Sequence, residues 1–132
     1  MSKILNIIFV VFLASISTVS FAAQCAPKKH AKVPNITNKT YHQARKLLIS
    51  NNWQPLRTLS ANSTESDLGY GNAWGFWKKG YKEVESCAGT GLAPCVFNFK
   101  DVYGNKLKVY TEGEEMDGSY AGVSSYSFSC EK

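Results

Sequence analysis

Cys95-Val96-Phe97-Asn98-Phe99-Lys100, then Tyr103-Gly104-Asn105, then Leu107, Val109 and Thr111 in alternation, is the stretch that decides the fold. Cys95, Phe97 and Phe99 share one side of an extended chain, and Val96, Asn98 and Lys100 share the other. A glycine-bearing turn follows, and a second alternating run returns. Period-two patterning on both sides of such a turn specifies a β-hairpin with one apolar face. Three further strands are expected around it. Trp53-Gln54-Pro55-Leu56 reads as a short edge strand, because proline cannot donate to a ladder. Tyr81 to Cys87 reads as another. The last places Tyr126, Phe128 and Cys130 on one face, after a turn from Glu112 to Gly118.

One helix is legible. Thr40-Tyr41-His42-Gln43 has the form of a capping box, in which the Thr40 hydroxyl accepts from the residue 43 amide while Gln43 reaches back. Tyr41, Ala44, Leu47 and Leu48 follow at helical spacing, with His42, Arg45 and Lys46 on the outer face. Asn51 and Asn52 end the helix, since asparagine tolerates the left-handed backbone. Residues 60–73 are polar, rich in turn formers, and read as a long loop. The expected fold is therefore α+β: a small antiparallel sheet of about four strands packed on one helix, stapled by two disulfides.

The first 22 residues have the form of an export signal. Lys3 precedes the almost wholly apolar run Ile4–Leu13, and Ser20-Phe21-Ala22 offers small residues for cleavage before Ala23. A membrane anchor needs about 20 apolar residues, and Ser15, Ser17, Thr18 and Ser20 interrupt this one too early. Residues 23–132 then form a single exported domain, periplasmic or secreted, with no stable membrane insertion after cleavage. In that compartment the cysteines at 25, 87, 95 and 130 are expected as disulfides. Cys87 and Cys95 flank a short loop containing Gly89, Gly91 and Pro94. Cys25 and Cys130 sit near the two ends of the mature domain, which are often close in space. The expected pairs are Cys87–Cys95 and Cys25–Cys130.

Composition narrows the function classes. Removing the leader removes Lys3 and no acid, which lowers the formal charge from +5 to +4. That suits an anionic surface such as cell wall, outer-leaflet lipid or an acidic partner. The cations are doublets (Lys28-Lys29, Arg45-Lys46, Lys78-Lys79) rather than the dense stripe of a nucleic-acid binder, so no nucleic acid is expected. No CxxC pair occurs, and His30 and His42 sit at no ligand spacing, so neither a metal nor any other cofactor is expected. Residues 88–94 lack the helix and GK[ST] of a phosphate cradle. His42, on the outer helix face, and His30, in a polar lead-in held only by Cys25, read as bystanders.

The densest chemistry lies between Tyr70 and Tyr81, where Trp74, Trp77 and Tyr81 flank Lys78 and Lys79. Aromatic faces beside lysines suit glycan rings or a partner protein. The same rings suit the core a small domain requires, and the two readings divide on which way Trp74 and Trp77 point. No nucleophile motif is present. Carboxylates offer the alternative of a small glycan or peptide hydrolase, with Glu83 and Glu85 pointing one way on a strand and Glu112, Glu114 and Asp117 decorating a turn.

The run Val33-Pro34-Asn35-Ile36-Thr37-Asn38-Lys39-Thr40 through Ala44, Leu48 and Trp53 resembles the opening of a PASTA module. Val33-Pro34, Ile36, Thr40, Ala44, Leu48 and Trp53 match without a gap, and Asn38 and Asn52 replace two glycines. The family sits outside the membrane on cell-wall synthases and kinases, and some members bind peptidoglycan fragments. The family does not usually carry a cysteine-bridged hairpin, and the segment Cys87–Cys95 is similar to short exported bacterial proteins of no assigned activity. Together these readings lead to a non-catalytic envelope module. It would contact peptidoglycan or a wall-acting envelope protein, in an accessory or inhibitory role, through Trp74, Trp77, Lys78, Lys79 and Tyr81.

Overall fold

The computed structural model describes residues 27–69 and 71–129. The signal segment, the cleavage position, Tyr70 and the Cys25–Cys130 pair lie outside them. In chain order the elements are α1 (Tyr41–Ser50), β1 (Gln54–Pro55), α2 (Glu65–Leu68), α3 (Ala73–Lys78), β2 (Val84–Cys87), β3 (Cys95–Lys100), β4 (Lys106–Glu112) and β5 (Gly122–Ser129). Among the described residues the fold is α+β, with five antiparallel strands, as the individual strand readings imply, and three helices where one was expected.

The hairpin is the spine of the sheet. β3 pairs with β4 from Cys95↔Thr111 to Lys100↔Lys106, and β4 pairs in turn with β5. β1 and β2 both lie along the other edge of β3, β1 at its Phe99–Lys100 end and β2 at its Cys95–Phe97 end. Alternation delivers Cys95, Phe97, Phe99, Leu107, Val109 and Thr111 to one buried face. α1 lies on that face, with the Tyr41 ring stacked on Phe97 at 3.6 Å between centroids and Phe76 of α3 meeting Phe97 edge-on at 5.0 Å.

α1 starts and stops as its sequence implies. Thr40 Oγ1 accepts from the Gln43 amide and Gln43 Oε1 accepts from the Thr40 amide, each at 3.2 Å. Asn38 and Asn52, on either side of the helix, both take left-handed backbone (φ 64° and 67°), which asparagine tolerates better than most residues.

The segment read as a loop, residues 60–73, contains α2, and α3 begins at its last residue. Ala73, Phe76 and Trp77 recur at i, i+3 and i+4 and bury one stripe of α3, a helical period hidden by the neighbouring glycines. Gly71, at φ +79°, lets the chain before α3 approach the Ala88 carbonyl, which a Cβ would meet at 2.7 Å. The entry to α3 thus packs beside the Cys87–Cys95 disulfide. That disulfide is the expected local pair, and a β-bulge makes it possible. Val84 pairs with Phe97 but Ser86 pairs with Val96, so the extra residue turns Cys87 inward, opposite Cys95.

The described part of the lead-in is tied down by hydrogen bonds. The Ala31 amide donates to Asp101 Oδ2, Asn105 Nδ2 donates to the Lys29 carbonyl, and the buried Trp53 indole donates to the Lys32 carbonyl. His30, expected as a bystander, lies against Phe128 at 4.7 Å between ring centroids. No helix among the described residues is long and apolar enough to cross a membrane.

Candidate functional site

A polar network joins α1, the turn before β2, and the loop between β4 and β5. Its inner end is Glu83, which is fully buried. The Tyr41 hydroxyl donates to Glu83 Oε1 at 2.7 Å, and Arg45 Nε donates to the same oxygen at 2.6 Å. A lone carboxylate could not occupy this place without a large desolvation cost, so the charge is met by a guanidinium and a phenol. Burial, reinforced by the negative charge of Glu83, pushes the Tyr41 phenol well above its ordinary range.

The network then runs outward. The Arg45 guanidinium lies over the Tyr81 ring, 4.5 Å from its centroid. The Tyr81 hydroxyl and His42 Nδ1 are 2.6 Å apart, and His42 Nε2 bonds to Glu115 Oε1. Burial raises the Tyr81 phenol despite the opposing pull of Arg45. Both His42 ring nitrogens are thus engaged, Nδ1 with the Tyr81 hydroxyl and Nε2 with the Glu115 carboxylate. Glu115 also takes Lys79 Nζ at 3.3 Å and the Ala121 amide at 3.0 Å. Its carboxylate thus ties the β4–β5 loop to the first turn of α1. Backbone bonds fasten the base of the loop: the Tyr41 amide donates to the Ala121 carbonyl and the Val123 amide to Lys39.

The loop so held presents Tyr120, 57 % exposed, and Met116 to solvent. The Tyr120 ring meets His42 edge-on at 5.2 Å and, with Thr40 and Gln43, lines a groove of about 440 Å³. Large apolar side chains held in solvent on a braced loop suit recognition, because little ordering remains to be done on contact.

The residues expected to form a binding platform separate. Trp77 is 4 % exposed and belongs to the core, its ring covered by Lys82 and Arg57 at 4.1 and 5.1 Å. Trp74 is half-buried against the same core. Lys78 is exposed, and its side chain makes no hydrogen bond or ion pair among the described residues. Only Lys79 and Tyr81 meet, through His42 and Glu115. His42 is no bystander, since both of its ring nitrogens are engaged. Glu115, Met116 and Tyr120 carried no signal of their own, and 73 positions separate His42 from its carboxylate partner.

The two carboxylates read as neighbours on a strand face opposite ways. β2 begins at Val84, so Glu83 lies in the preceding turn and enters the core while Glu85 faces out. Glu85 accepts from Asn98 Nδ2 at 2.9 Å and pairs with Lys108 at 3.2 Å on the outer face of the sheet. Two acids on opposite faces cannot flank one scissile bond.

No family model, curated protein or solved structure matches the chain.

Proposed function

We propose that the protein is a non-catalytic, exported binding module of the cell envelope, contacting cell-wall material or a wall-acting protein. Its contact surface is the groove between the start of α1 and the β4–β5 loop, with Tyr120 and Met116 as apolar anchors and Lys79 and His42 beside them. The observation that carries this reading is Glu115. One buried carboxylate spends its hydrogen bonds on His42, Lys79 and the Ala121 amide, and so braces a loop whose tip is exposed. Tyrosine and its neighbours on a preorganised loop are favoured anchors for glycan faces and for protein partners. The export-type leader, the Cys87–Cys95 staple and the PASTA-like run from Val33 to Trp53 supply the envelope context.

The test is sedimentation with purified peptidoglycan, followed by inhibition assays on peptidoglycan hydrolases. The wild-type protein is expected to be retained or to inhibit. Tyr120→Ala combined with Lys79→Ala is expected to weaken that contact by on the order of tenfold or more. Lys78→Ala should leave it unchanged. Neither retention nor inhibition by the wild-type protein would overturn the proposal, as would a full effect in the Tyr120→Ala/Lys79→Ala protein.

A further inference from the structure

The opposite end of the β3–β4 hairpin has different chemistry. Its turn carries Val102 and Tyr103, 73 % and 50 % exposed, side by side at the apex. Asp101 holds this apex rigid: it accepts from the Tyr103 and Asn105 amides at 3.0 and 2.8 Å and from Asn105 Nδ2 at 2.9 Å. Apolar side chains presented on a turn that cannot fold back are placed to enter another phase.

Cations surround the apex. Lys100 and Lys106 stand directly opposite each other where the strands meet the turn. Like charges in that register repel, and neither has an ion-pair partner among the described residues. Lys29 Nζ lies 4.7 Å from the centroid of the Tyr103 ring, with exposed Lys28 next to it, and Lys32 lines a groove shared with Val102 and Tyr103. Among the described residues the acids of this region are Glu85, which is taken by Lys108 and Asn98, and Asp101, which is buried and saturated. At the far end of β4 the chain turns acidic, with Glu112, Glu114, Glu115 and Asp117. The two ends of one strand, about 20 Å apart at a strand's rise per residue, therefore carry opposite charge.

We propose that the β3–β4 apex docks on an anionic phospholipid leaflet, with Val102 and Tyr103 entering the headgroup region and Lys28, Lys29, Lys32, Lys100 and Lys106 contacting lipid phosphates. Each lysine at such a surface adds to the attraction, and an interfacial tyrosine is favoured at headgroup depth. A soluble polyanion would satisfy the lysines but gives no role to the exposed valine and tyrosine. The acidic end, with the groove described above, then faces away from the membrane. The two surfaces lie at different ends of β4, so either can fail without the other.

The experiment is flotation of the mature protein with vesicles of phosphatidylcholine alone, and of phosphatidylcholine in which a third of the lipid is phosphatidylglycerol. Binding is expected to the anionic vesicles only and to fall steeply as salt is raised. Lys100→Glu with Lys106→Glu should lower partitioning by about tenfold or more. Val102→Ser with Tyr103→Ser, which alters only exposed side chains, should lower it several-fold at unchanged charge. Lys78→Glu, away from the apex, should have no comparable effect. Thermal melts establish that each variant is folded. The proposal falls if anionic vesicles capture no protein, or if neutral vesicles bind it equally. It also falls if Val102→Ser/Tyr103→Ser binds as wild type while soluble polyphosphate competes fully, which would mark a polyanion site instead.

Discussion

Glu83 and Glu85 are two residues apart and lead different lives. Glu83 lies under α1 with no exposed surface, its oxygens taken by Tyr41 and Arg45. Glu85 stands on the outer face of the sheet, where it meets Asn98 and Lys108 directly but open to solvent. The chemistry of the side chain is the same, and its surroundings decide the role. In the interior a carboxylate must be matched nearly completely, so it organises its neighbours. On the open face water competes for every contact, and the pair only adjusts the local charge.

Removing each acid in turn is the sharpest way to break that comparison. Glu83→Ala strands the Tyr41 hydroxyl and most of the Arg45 guanidinium, and is expected to cost about 3–5 kcal/mol. Urea unfolding followed by tryptophan fluorescence reads this directly, since Trp53 and Trp77 are both core residues. A cost below about 1 kcal/mol would mean the network does not brace the helix.

Asp101 is an intermediate case, a buried acid at the solvent-facing hairpin turn. Burial alone would raise its carboxyl, but the bonds from Asn105, Ala31 and Tyr103 outweigh that and hold it below the ordinary carboxylate range. The folded state therefore releases this proton more readily than the unfolded chain. The resulting stability is fully present above the unfolded value of about 3.9 and is lost as the pH falls through the lower folded value. Asp101→Asn should flatten that acid limb in denaturation measured across the range. Asp101→Ala should cost about 2–3 kcal/mol at neutral pH, with three backbone amides and the Asn105 side-chain amide left unmatched.

Glu85→Gln is expected to give the smallest effect, a change in stability within about 0.5 kcal/mol. Its informative readout is charge. The outer face loses its acid, so binding to anionic vesicles should tighten slightly while the melting temperature stays put. A large loss of stability would erase the distinction between the two faces.

Much of the architecture is legible in the sequence. The hairpin, the capped helix, the proline-bearing edge strand and the local disulfide all rest on interactions within a few residues of one another, or across a single turn. The α3 helix was missed because Gly75 and Gly80 obscured a stripe of only three residues, Ala73, Phe76 and Trp77. With it went the choice between core and surface for Trp77, which the helix turns into the core, while Trp74 stays half-buried. The candidate groove was not legible at all. Glu115 meets His42 across 73 positions, and nothing near either residue announces the other.

The charge pattern divides in the same way. Along the chain the lysines look dispersed, yet the hairpin register sets Lys100 against Lys106 and the lead-in adds Lys28, Lys29 and Lys32 to the same end. Local sequence determined which segments were strands and helix, because period, caps and turn residues act through neighbours. The tertiary structure alone decided which carboxylate was buried, which aromatic faced water and which lysines met. Those outcomes depend on desolvation and on contacts between distant segments, and neither exists until the sheet has closed against its helices.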